Sequence, residues 1–500
     1  MIKMTNVKRF VIAVGYIMVL LGCKSSQQEE KKYQPEWSSL QKHPVPEWFE
    51  DAKFGIYFHW GPYSVPAHKT EWYSHHMYIE GNPIRKYHEQ TYGPLDEFGY
   101  KDFIPMFTAE NFDAGAWAKL FRKAGAQFAG PVAEHADGFA MWDSKLTKWD
   151  AMDMGPRRDI VGEMEKAIRE EEMKFIITYH RHWLYSWFPT WDTQVDAGNP
   201  KWEGLYGPKV PKGTFVMANT PTDPLPDDAF NQEWLDRLDE LMDNYQPDMI
   251  WFDNKMDIIG EEYRKQFLAN YYNKALEWDQ EVVCTYKSED MEEGSAVLDL
   301  ERARMSEKKD FPWLTDDSID WEAWSYIANP RYKSANRIVD FLVDVVSKNG
   351  SLLLNIPPTP DGKIPEAVES RLLELGEWLT VNGEAIYGTR PWKIYGEGPQ
   401  EITEGHLSEH KNPPATSKDI RFTTKDNHLY ITVLGWPSDS LTVRSLGKAE
   451  GYLDQQISSI QLLGDNQQLS WQRTDEALMI QLPNAKHGNY AHAFKVTFKQ

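Results

Sequence analysis

Two cysteines in 500 residues exclude a disulfide framework. Basic residues are also scarce: 54 Lys and Arg against 76 Asp and Glu leave a formal charge of −22. That balance argues against nucleic acid or an anionic membrane surface as a partner. No GxGxxG or GxxxxGK[ST] motif follows a strand pattern, which weakens a nucleotide-binding open sheet. HExxH is missing, and His180 with His182 is the single HxH pair on one element, so the spacing does not favour metal chemistry. Aromatic residues are what the chain has in excess. Its 21 Trp exceed the needs of a core, and flat indoles suit stacking on the apolar faces of a ligand ring.

The first residues read as a targeting segment. Lys3, Lys8 and Arg9 precede an apolar run, Phe10 to Leu21, that is too short to span a bilayer. The run ends in LLGC, which resembles a bacterial lipoprotein signal cleaved before Cys23, whose sulfur then carries lipid. The expected layout is a signal peptide and lipid-bearing Cys23 over 1–23 and a polar tether over 24–44. It places the protein in the periplasm or at the cell surface, touching membrane only through its lipid. With Cys23 lipidated, Cys284 is the one thiol left.

From residue 45 helical and strand patterns alternate. Phe230, Trp234, Leu238, Leu241, Met242 and Tyr245 recur at helical spacing, Pro247 stops the helix, and Met249 to Phe252 is a short buried-strand run. Comparable strands are predicted at Phe54–Phe58, Phe128–Ala133, Lys174–Tyr179, Glu281–Tyr286 and Ser351–Ile356. Helices are predicted around 113–124, 160–171, 271–277, 335–348 and 366–380. Repeated β/α alternation at this length predicts a (β/α) TIM-like barrel over 45–394. Residues 62–110 are too long for a plain connection and read as a functional loop or small subdomain. Beyond 395 the period changes to short alternating runs, among them HLYITVLGW, ISSIQLL and HAFKVTFK, which predict an all-β sandwich over 395–500. It carries no cluster of ionisable residues and reads as a supporting domain.

Polar residues gather just past the strands: His59, His135, His180 or His182, and Asp253. A barrel collects such residues at the C-terminal ends of its strands, where its chemistry sits. A satisfied or surface histidine, or a helix-capping Asp, is the plain alternative for any one of them.

KFGIYFHWGPYSVPA followed by EWY, EHADGF, RRDIVGE, PDMIWFDN, the PWLTDDSI segment and SLLLNIPPTPDGKIP…NGEAIYGTRPW together resemble family 29 glycoside hydrolases, the retaining α-L-fucosidases. The resemblance runs in order over roughly 45–395. It implies a barrel followed by a β-sandwich, no cofactor and no metal, and a fucosylated oligosaccharide or polysaccharide as substrate. It implies Asp253 as nucleophile, with His59, Glu71, Trp72, His135, Tyr179 and Trp251 holding the sugar. The general acid/base is expected at Glu301, with Glu289, Glu292 and Glu293 as alternatives. A retaining glycosidase needs two carboxyls about 5–5.5 Å apart. Arg302 and Arg304 must then point away, because a cation beside Glu301 would spoil it as an acid.

Three departures bear on specificity. Glu134 stands where the resemblance puts Lys, Ala136 stands where it puts a second His, and the strand ending ITYHRHW brings His180, Arg181 and His182 towards the mouth. Either His180 or His182 swings into the space at Ala136, or the space admits a substituent, with Arg181 and the histidines meeting an anion such as sulfate. An α-L-galactoside or a substituted fucoside is therefore an alternative substrate, and a non-catalytic glycan-binding lipoprotein is the alternative from another class.

Overall fold

The computed structural model of the chain describes residues 32–212, 225–465, 467–483 and 488–499. The leader, Cys23 and the first part of the expected tether lie outside the described residues. The rest of that stretch is not an uncovered tether. Tyr33 and Leu40 are buried, the Tyr33 backbone bonds the Asn273 side chain at 3.0 and 2.7 Å, and His43 stacks on Tyr272 at 3.7 Å. Apolar side chains set in polar sequence gain by covering the helix Glu261–Glu277.

Eight parallel strands close into a barrel in sequence order. They are β1 (Phe54–Phe58), β2 (Phe128–Glu134), β3 (Lys174–Tyr179), β4 (Met249–Phe252), β5 (Val283–Lys287), β6 (Val297–Glu301), β7 (Trp313–Ser318) and β8 (Gly350–Ile356). Helices Ala114–Lys123, Ile160–Glu170, Asp228–Tyr245, Glu261–Glu277 and Ala335–Ser347 cover the outside between successive strands. Asp113, Asp159, Asp227 and Ser334 each accept a backbone N–H at one helix start, which fixes where those connections turn. The connections β5–β6 and β6–β7 carry no helix among the described residues.

Strand β7 escapes pattern reasoning, because WLTDDS has polar residues at four of its six positions and all six are buried. A barrel strand is covered on both faces, so its acids survive only by pairing. Asp316 meets Lys287 at 2.5 Å, and Asp317 meets Lys333.

The C-terminal domain begins with β9 (Arg390–Glu397), slightly before the change of composition. It continues through β10 (Ile420–Lys425), β11 (His428–Val433), β12 (Ser440–Val443), β13 (Ile457–Leu462), β14 (Trp471–Arg473), β15 (Leu478–Gln481) and β16 (His492–Phe498). These form an antiparallel five-stranded sheet, β13-β16-β11-β10-β9, and a three-stranded sheet, β12-β15-β14, around one apolar core. The domain docks on barrel helices through Arg421–Asp344 at 2.5 Å and through Trp378 Nε1, which donates to Ala491 O at 2.7 Å.

Candidate active site

At the C-terminal ends of the strands lies a cavity of about 380 Å³. Asp253, just past β4, and Glu301, the last residue of β6, both line it. Asn254 joins them: its backbone N–H donates to Asp253 Oδ1 at 2.8 Å and its Nδ2 donates to Glu301 Oε2 at 3.2 Å. Trp183 Nε1 gives Asp253 Oδ2 a second donor at 3.0 Å. Glu289, Glu292 and Glu293 are exposed and line a different hollow, so the cavity singles out Glu301 among the four candidates. Neither Arg302 nor Arg304 pairs with it. Arg302 lies over the Trp324 ring at 4.4 Å and donates to Trp321 O, while Arg304 is held by Asp344 and Glu409.

Burial pushes both carboxyls up, to about 7 each, against the pull of Lys287; for Glu301, the charge of Asp253 adds to the rise. The pair therefore titrates as a unit. Two N–H donors on Asp253 favour its anion, and Glu301 has the single longer bond from Asn254, so Asp253 ionises first and Glu301 keeps the proton.

Beneath them lies a buried set of charges. Lys287 contacts Asp299 at 2.6 Å and Asp316 at 2.5 Å, and its ammonium sits 4.8 Å from the Trp251 ring centre. Trp251 Nε1 donates to Asp299 Oδ2 at 2.8 Å and the Tyr57 hydroxyl to Asp316 Oδ2 at 3.0 Å. One ammonium thus faces Asp253, Asp299, Glu301 and Asp316, which is why burial can hold several of these acids above their ordinary range. Pattern reasoning passed over this cluster; the one local signal is a lysine ending the apolar run VCTYK.

The opposite wall is histidine. His59, His135 and His180 offer ring nitrogens that all lie within 4.8 Å of one another. Burial holds all three below the usual histidine range, so the imidazoles are neutral and can accept or donate one hydrogen bond each to a ligand. Asn355 of β8 fixes the tautomer of His59. Its Nδ2 donates to Trp324 O at 2.6 Å and Ser318 Oγ at 3.0 Å, which turns its carbonyl onto His59 Nδ1 at 2.9 Å and leaves Nε2 for the cavity. Neutral imidazoles with this spacing suit sugar hydroxyls and could also hold a divalent cation.

Glu71 and Trp72 line the cavity as well, and Glu71 is anchored by the Trp324 N–H at 3.0 Å. Of the many Trp, Trp72, Trp251, Trp321 and Trp324 reach the cavity and others serve the core.

Tyr179 does not belong to the site. Strand side chains alternate, and the register pairs Tyr179 with Phe252, both facing outward onto Trp234. The next residue, His180, takes the inward position. The anion-binding arrangement also fails. Arg181 is buried behind the barrel wall against Glu134 at 2.5 Å and Glu233 at 2.7 Å, with Arg237 completing the group. His182 bonds Asn254 O at 2.8 Å. Glu134 and Arg181 therefore answer each other, His180 alone of the three reaches the cavity, and Ala136 is buried.

The alpha-L-fucosidase family matches residues 20–384, and the alpha-L-fucosidase C-terminal domain matches 413–499. Tissue alpha-L-fucosidase of Rattus norvegicus is 31% identical over 490 residues, covering 96% of this chain and 95% of its own. The Homo sapiens tissue enzyme is 31% identical, covering 97% of each. The solved structure of Thermotoga maritima alpha-fucosidase in complex with a mechanism-based inhibitor superposes with a TM-score of 0.73 at 30% identity, over 93% of this chain and all of that one.

Proposed function

The chain belongs to the alpha-L-fucosidase family, and from that premise we propose how its own residues remove terminal α-L-fucose from glycans. The observation that carries the assignment is Asn254, which donates to both Asp253 and Glu301 and so holds two carboxyls from different strands on one cavity.

With Asp253 ionised and Glu301 protonated, Asp253 attacks the anomeric carbon while Glu301 gives its proton to the leaving oxygen. The anomeric C–O bond breaks as the ester to Asp253 forms. Glu301, now a carboxylate, takes a proton from water, which attacks the same carbon and releases the ester. Two inversions return the original anomeric configuration. His59, His135, His180 and Glu71 supply hydrogen bonds to the sugar hydroxyls, and Trp251 and Trp72 supply apolar surface. Burial of the three histidines and Glu71 strengthens their contacts.

Release of chromophore from an aryl α-L-fucoside by the purified protein tests the activity, and proton NMR of the first-formed sugar tests the stereochemistry. β-Fucose as first product from an α-fucoside would refute the double displacement.

The same proposal extends to the N-terminus. Residues 1–22 act as a leader, and lipid on Cys23 anchors the enzyme to a membrane in the periplasm or at the cell surface. The support is the LLGC signal and the polar residues that follow it. Partition into a detergent phase, abolished by Cys23→Ser, is the expected result; unchanged partition would refute it.

A further inference from the structure

Glu301 is not enclosed by the barrel alone. The chain after β9 returns to the mouth, and His406, Leu407, Glu409 and His410 line the cavity on the Glu301 side. This stretch is built onto the end of β6. Leu407 N donates to Glu301 O at 3.0 Å, Glu409 N donates to Arg302 O at 2.8 Å, and Ser306 N donates to Glu404 Oε1 at 2.6 Å. The buried Glu409 carboxyl is clamped by Arg304 at 3.1 Å and by Arg337. Arg302 and Leu407 both hold left-handed backbone, φ 43° and 55°, a conformation that side chains disfavour and that these tethers secure. The position is fixed by these tethers.

Resting on the fucosidase reading above, we infer that residues 404–410 form the subsite for the saccharide that leaves, and that His406 contacts it beside Glu301. A general acid must lie within hydrogen-bond reach of the leaving oxygen. Whatever that oxygen carries must therefore fill the space next to the Glu301 carboxyl, and His406 Nδ1 lies 3.7 Å from its Oε2 with its side chain 49% exposed. His410, Trp321 and Glu322 line the same cavity. An imidazole, a carboxylate and an indole face recognise a neutral, hydroxyl-rich ring. The nearby cations are already matched: Arg302 by Trp321 O and Asp317, Lys333 by Asp317, and Arg331 by Glu322. An acidic leaving group therefore finds no unmatched guanidinium or ammonium among them.

The test compares α-L-fucosyl fluoride, whose leaving group carries no sugar, with the best substrate from a panel of α-L-fucosyl disaccharides. His406→Ala should lose about fivefold or more in kcat/KM on the disaccharide beyond any loss on the fluoride, the worth of one hydrogen bond to the leaving sugar. The concentration of acceptor sugar that half-saturates transfer from the fluoride should rise by a similar factor. His406→Gln, which keeps a donor and an acceptor, should recover part of both. Equal losses on the two substrates, or no loss on either, would overturn the subsite. Wild-type failure on both substrates would instead overturn the fucosidase reading and this inference with it.

Discussion

Replacing Asp253 by Asn should cost activity and return stability, and the stability gain should grow with pH. The carboxyl is lifted from 3.8 to about 7, first by burial, so ionising it in the folded state costs at most about 4 kcal/mol. Part of Asp253 remains open to the cavity, where water and Lys287 share its charge, and one of its two N–H donors would be lost to the amide. The net gain expected is about 1–2 kcal/mol, or roughly 1–4 °C in Tm. The sign follows from proton binding. Between about pH 4 and 7 the unfolded Asp is ionised while the folded one still holds its proton, so wild-type stability falls as pH rises through that window. The neutral amide of the Asp253→Asn variant carries no such penalty. The assay is the Tm difference between variant and wild type, measured by calorimetry from pH 4.5 to pH 8.5, beside turnover of an aryl fucoside. Turnover should drop below about one per cent, because an amide cannot form the covalent ester. A Tm difference that is flat or shrinks with rising pH would refute the buried-charge argument, and substantial turnover would refute the nucleophile.

Glu301→Ala should slow fucosides with poor leaving groups far more than activated aryl fucosides, and azide should restore rate and yield a glycosyl azide; equal slowing of both substrate types would count against Glu301. Wild-type kcat/KM should trace a bell around neutral pH, set by the shared titration of Asp253 and Glu301, and the basic limb should vanish in the Glu301→Ala profile. His180→Ala should lower kcat/KM on plain α-L-fucosides about fivefold or more, whereas Ala136→His should lower Tm without improving kcat/KM, since a buried methyl site is being overpacked; improved turnover would show that the space at Ala136 is open. Dialysis against EDTA should leave kcat/KM unchanged because two carboxyls supply the chemistry; a loss recovered by Zn²⁺ would make His59, His135 and His180 a metal centre.

The barrel could be read from the chain because its local signals agree: helical spacing that ends at a Gly or Pro, then a short apolar run, repeated. Asp253 could be read for the same reason, as an acid directly past such a run. Strand β7 could not, because its stability comes from lysines distant in sequence and not from apolar alternation. Tyr179 faces outward and His180 inward because on a strand a step of one residue reverses the face.

The sequence by itself determined most of the strands and helices, β7 excepted, and it supplied the two acids Asp253 and Glu301, since propensity, periodicity and side-chain identity are local properties. The tertiary structure alone decided which side chains share the cavity. Closing the barrel brought Asn355 onto His59, set Arg181 against Glu134 instead of a ligand, and turned His180 inward. It also carried His406 back to Glu301 across more than a hundred residues. Contacts of that range cost loop entropy that increases only slowly with length, so nothing in the sequence nearby needs to announce them.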